Sequence, residues 1–160
     1  MCRDLRKSRS LRLVTGMPRR TGGGYSVGLH GPDRRFSRPH GGQYFQHLPD
    51  GPGVLVFADP DNGFEPHKSC SDRHLAYTEV EQILAQILDQ SMLSVFHHFR
   101  RVRFGEDFAH IRRRLANRST TAVYWHSVMF VAISRSERTI ERVRSFNRDY
   151  AFCRPVRAIP

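Results

Sequence analysis

The sequence predicts an α/β fold: a partial doubly wound, mainly parallel sheet with an antiparallel edge hairpin over residues 54–160, preceded by an irregular basic arm over residues 1–53. Three observations carry this. Two continuous apolar runs, Val54-Leu55-Val56-Phe57-Ala58 and Met92 to Phe99, have the character of strands buried on both faces. Stretches of helical period separate and follow them. Ahead of Val54 the chain concentrates glycine and proline in Gly22-Gly23-Gly24, Gly31-Pro32, Arg38-Pro39 and Gly51-Pro52-Gly53, without a sustained apolar period.

Within the arm, only Leu11 to Val14 and Tyr25 to Leu29 have the composition of short strands. The first apolar run ends in the polar segment Asp59-Pro60-Asp61-Asn62-Gly63-Phe64-Glu65. Thr78-Glu79-Val80-Glu81 then has capping-box spacing, and Val80, Ile83, Leu84, Ile87 and Leu88 share one helical face. The second run is broken near its end by His97-His98. Gly105-Glu106-Asp107 places acidic residues at the start of a helix with Phe108, Ile111 and Leu115 inward and Arg112, Arg113 and Arg114 outward. Thr120 to Ser134 is rich in β-branched and aromatic residues and divides into two strands around Trp125-His126-Ser127. Ser136 caps a last helix with Ile140, Val143 and Tyr150 on one face.

The 160 residues suffice for one core. The formal charge of +11 is uneven: residues 1–53 hold ten Lys/Arg against three Asp/Glu, and residues 54–160 hold sixteen against twelve. That excess attracts polyanions, with nucleic acid the usual partner. A GC-rich coding sequence accounts equally for the arginine bias, since only Lys7 and Lys68 are lysines. Cys2, Cys70 and Cys153 form no CxxC pair, which points to reduced cytoplasm rather than a disulfide framework or zinc ribbon. No apolar run reaches the length of a membrane span, and no signal-peptide core follows the Arg-rich start.

Val56-Phe57-Ala58-Asp59-Pro60-Asp61-Asn62-Gly63-Phe64-Glu65, then Arg73-His74-Leu75-Ala76-Tyr77-Thr78-Glu79, then Val95-Phe96-His97-His98-Phe99-Arg100-Arg101 resembles a family of largely uncharacterised bacterial proteins with a strand-end DPDNG motif. More distantly the arrangement is similar to the second half of a class I S-adenosylmethionine-dependent methyltransferase, in which an Asp/Asn-Pro-Pro motif ends the fourth strand and a reversed final strand pair closes the sheet. The resemblance implies that Asp59-Pro60-Asp61-Asn62 sits where those enzymes orient the group to be methylated, with S-adenosylmethionine as cofactor. It departs in two respects. Asp61 and Asn62 replace the second proline and the aromatic, and the cofactor-binding first half has no counterpart beyond the glycine-rich Gly22 to Gly28, which lacks a preceding strand and a following helix.

In parallel sheets ligands bind beyond the carboxyl ends of the strands, which selects Asp59 to Glu65 and His97-His98. Asp59, Asp61 and Glu65 are enough carboxylates to hold Mg²⁺ or Mn²⁺ or to supply a general base, and Asp-Asn-Gly is equally a favoured turn sequence. His97 and His98 point to opposite faces, so one enters the cleft and the other is packed. Arg100, Arg101 and Arg103 follow as phosphate contacts or as a solvated loop, and Trp125 is either a buried ring or a base-stacking one.

Three functions are therefore open. The first is a methyltransferase-like protein acting on or binding nucleic acid, truncated or active, with Asp59 and Asn62 on the reacting group and His97 or His98 assisting. The second is a metal-dependent nuclease or phosphoesterase using Asp59, Asp61, Glu65 and a histidine. The third is a non-catalytic basic nucleic-acid-binding module. An unpaired first strand also predicts a homodimer through an open sheet edge.

Overall fold

A computed structural model describes residue 15, residues 24–30 and residues 41–160. The chain divides into two compact units, 1–35 and 36–160. In the first, residues 24–30 form neither helix nor strand, so the expected Tyr25 strand is not formed, and the expected strand at Leu11 lies outside the described residues.

The second unit is an α/β domain, in chain order α1 (Gly41–Tyr44), β1 (Leu55–Ala58), α2 (Tyr77–Gln86), β2 (Met92–His98), α3 (Phe104–Arg114), β3 (Ser119–Trp125), β4 (Val128–Ser134), α4 (Glu137–Cys153) and β5 (Arg157–Ile159). The sheet order is β1-β2-β4-β3-β5. β1 and β2 are parallel, and every other neighbouring pair is antiparallel. β1, β2 and β3 thus run one way, with the reversed β4 inserted between β2 and β3. This corrects the expectation of a mainly parallel sheet with its hairpin at the edge. The two-residue turn at His126-Ser127, with His126 at a φ of 51°, returns β4 alongside β3, and β4 then pairs with β2 as well.

Side-chain alternation sorts the sheet into two faces. Leu93, Val95, Ala122, Met129, Val131 and Ile133 form the core with Val80, Ile83 and Leu84 of α2 and Phe108 and Ile111 of α3. α3 suits its position: Glu106 and Asp107 lie in its first turn and Arg112, Arg113 and Arg114 in its last, matching the helix dipole. Phe45 and Leu48 also belong to this core, so the packed domain begins ahead of Val54. On the opposite face α4 contacts β3, β4 and β5, where Thr121, Ala132, Ser134 and its own Ile140 are buried. Helices therefore cover both faces, but the second only in part.

Several local expectations differ. β1 is an end strand rather than a doubly buried one, with Leu55 and Phe57 more than half exposed because no helix covers its second face. α2 is capped at Ala76, whose N–H donates to Glu79 Oε2 at 2.7 Å, and not at Thr78. It ends at Gln86, which leaves Leu88 exposed. Ser136 does cap α4, its hydroxyl accepting from Thr139 N–H, and Ile140 is buried, whereas Tyr150 is exposed. The short β5 carries no signal of its own in the sequence. Among the described residues no helix is long and apolar enough to cross a membrane.

Candidate functional site

The Asp59 to Glu65 loop leaves β1 at the carboxyl end of the parallel pair. Pro60 to Gly63 closes a turn through Gly63 N–H donating to the Pro60 carbonyl at 3.2 Å. The next residues then run beside the segment before α2: Asn62 N–H donates to the Arg73 carbonyl, Leu75 N–H to the Gly63 carbonyl and Glu65 N–H to the Leu75 carbonyl, each at 2.9 Å. Gly63 has a φ of 78°, and a Cβ there would lie 2.1 Å from His97 Nδ1. Only glycine lets the loop approach the strand this closely.

His97, with no exposed surface, fastens the loop from the core face. Phe64 N–H donates to its Nδ1 at 3.2 Å, so the proton resides on Nε2 and is donated to Asp107 Oδ2 at 2.7 Å. Arg100 completes the clamp: Nη2 and Nε donate to Asp107 at 2.6 and 3.3 Å, and Nη1 donates to the Phe64 carbonyl at 2.8 Å. Both backbone polar groups of the buried Phe64 are thereby satisfied. Burial holds the His97 pKa below the ordinary histidine value, against the opposing pull of Asp107. Burial pushes Asp107 upward, but hydrogen bonds from His97 and Arg100 and their charges outweigh it and bring its pKa to about 2.

The other face presents a different set. Strand alternation puts Phe57, Asp59, Phe96, His98 and Phe130 opposite the core residues Val56, Val95, His97 and Val131. Asp59 is exposed as a residue, yet its carboxyl is crowded enough that burial raises its pKa, with His98 opposing and Asp61 adding to the rise. An acid near an imidazole at the mouth of a parallel strand pair is suited to accept and hand on a proton or to hold an N–H or O–H group. The Phe96 and Phe130 ring centroids lie 5.3 Å apart, Phe57 and Phe130 6.3 Å, and the His98 ring stands edge-on to Phe96 at 4.7 Å.

The structure therefore separates the residues singled out from the sequence. Asp59, Asp61 and His98 share one neighbourhood, and Asn62 is half-buried in the pinned turn. Glu65 turns away, its Oε1 paired with Arg114 Nη2 at 3.2 Å, so the three carboxylates do not converge. Among the described residues no three His, Cys, Asp or Glu side chains form a group able to hold a metal ion. His97 is committed at both ring nitrogens, and Arg100 serves the clamp rather than an open rim. Arg101 and Arg103 are exposed on the β2–α3 loop. Tyr77 is buried, its ring stacked on Phe64 at 5.7 Å. Trp125 is about half exposed on the same open face as Phe130. The partner missed from sequence was Asp107, ten positions beyond His97, which reads simply as a helix-start acid.

Two clefts among the described residues lie away from the loop: one is lined by Arg112, Arg118, Glu137 and Arg144, the other by Gln90, Thr139, Arg142 and Phe146. Comparison of the chain with protein families, curated proteins and solved structures finds no match.

Proposed function

We propose that the domain is a methyltransferase-like α/β protein that acts on or binds nucleic acid, with Asp59 and Asn62 contacting the reacting group and His98 assisting. The observation that supports this reading is the strand arrangement: three co-directional strands, a reversed strand inserted before the last of them, and the Asp-Pro-Asp-Asn loop at the carboxyl end of the first. His98 replaces His97 as the assisting residue, because His97 has no free nitrogen.

S-adenosylmethionine is the cofactor this reading implies, and it would supply an electrophilic methyl group. Asp59, Asn62 and His98 suit the acceptor side of such a reaction, where Asp59 accepts a hydrogen bond from an N–H or O–H and His98 takes up the released proton. Neither of the two clefts described above reaches the loop. Gly22 and Gly23 lie outside the described residues.

Calorimetric titration with S-adenosylmethionine, and separately with Mn²⁺, on wild type and Asp59→Ala tests the reading. Expected are cofactor heat in both proteins and loss of methyl transfer to nucleic acid in Asp59→Ala. Silence towards the cofactor, joined to Mn²⁺ heat that disappears in the variant, would replace it with a metal-dependent phosphoesterase.

A further inference from the structure

The half of the sheet left open by α4 carries more aromatic surface than the proposed chemistry uses. Phe57 on β1, Phe96 on β2, Phe130 on β4 and Trp125 on β3 all lie on that face, and Phe57, Phe130 and Trp125 are 54%, 37% and 49% exposed. Their spacing is that of rings in contact, 5.3 Å for Phe96–Phe130 and 6.3 Å for Phe57–Phe130. Past the carboxyl end of β2, which runs the same way as β3 with Trp125 at its own carboxyl end, come Arg101 and Arg103, exposed and with no side-chain hydrogen bond or ion pair among the described residues.

We infer that this face is a stacking platform for single-stranded nucleic acid, with bases on the Phe57, Phe130 and Trp125 rings and phosphates on Arg101 and Arg103. The inference deepens the nucleic-acid part of the proposed function and rests on it there. Charge chooses the occupant. A second copy docked face to face would bring the same unneutralised guanidiniums together, whereas a polyanion neutralises them. A duplex keeps its base faces inside its own stack, so it offers phosphates but nothing to the rings.

The test is fluorescence anisotropy of the full chain with a fluorescein-labelled dT12 strand, with rU12, and with a duplex of the same length, over a salt series. Phe57→Ala and Phe130→Leu are each expected to weaken single-strand binding by about five- to 150-fold while leaving the salt slope unchanged. Phe57→Tyr keeps a ring and retains affinity. Arg101→Ala with Arg103→Ala lowers the slope of log K against log salt by about 1.4, roughly 0.7 per phosphate contact on a single strand. The ring variants leave the heat of S-adenosylmethionine titration unaltered, so the two readings fail separately. The inference is overturned if both ring variants bind as wild type does, if the duplex binds as tightly as the strand, or if sedimentation shows a dimer that Phe130→Leu dissociates.

Discussion

Replacing Gly63 by alanine tests the closure of the loop on the strand. The added methyl meets two penalties. A φ of 78° costs an L-residue about 1–2 kcal/mol, partly offset by the roughly 0.4–1 kcal/mol gained from a stiffer unfolded chain. The Cβ would also stand 2.1 Å from His97 Nδ1 and 3.0 Å from the His97 Cα. The ring or the loop must then move, breaking the Phe64 N–H bond to Nδ1 and leaving a buried amide unpaired, at about 1–3 kcal/mol. The sum is about 3 kcal/mol, a large fraction of the 5–15 kcal/mol typical of a domain. Urea unfolding followed by far-UV circular dichroism measures it. In a His97→Ala background the ring is gone and only the contact with the Cα at position 97 remains, so the same Gly63→Ala change should cost only about 1 kcal/mol, a coupling of about 2 kcal/mol. A single-variant cost below about 1 kcal/mol, or a cycle with no coupling, would refute the close approach of loop to strand.

Further expectations follow from the clamp and the open face. His97 has a native pKa below the unfolded value of 6.5, so the unfolded chain binds the proton first; stability is full above pH 6.5 and falls as the pH is lowered from there towards the native value. Nitrogen-detected NMR should show His97 as the Nε2–H tautomer persisting below pH 6.5, and titration at or above that value would contradict the assignment. Asp107, at about 2 in the native state against 3.8 unfolded, adds a second loss as the pH falls from 3.8 through about 2. Arg100→Lys keeps the charge but cannot reach Asp107 bidentately and the Phe64 carbonyl together, so chemical denaturation should show a loss of about 1–3 kcal/mol. Asp59→Asn removes a carboxylate whose ionised form burial disfavours, so its melting curve should match or exceed that of wild type while the methyl transfer proposed above is lost; a marked drop in stability would make Asp59 a structural residue.

The sequence by itself determined the elements whose pattern is local. β2, α3, the β3–β4 hairpin and the Ser136 cap stand where period and capping chemistry put them. It also located the polar loop at the end of β1, because an apolar run meeting Asp-Pro-Asp-Asn-Gly has only one reading as a strand followed by a turn. Strand direction was decided by tertiary structure. A hairpin fixes that β3 and β4 are antiparallel, but not which of them lies against β2, and insertion of β4 there made most pairings antiparallel. Burial of β1 was equally out of reach, since Leu55 and Phe57 read as core until the sheet order places them on an uncovered end strand.

The two histidines show the same division within the site. Alternation alone required His97 and His98 to face opposite ways. Which one faced the core depended on Asp107 and Arg100 reaching the end of β2 from α3 and its loop, and on Gly63 lacking a side chain. Each of those contacts joins residues that carry no mutual spacing rule, for a hydrogen bond between distant segments is set by how helix and sheet pack and leaves no period in the chain.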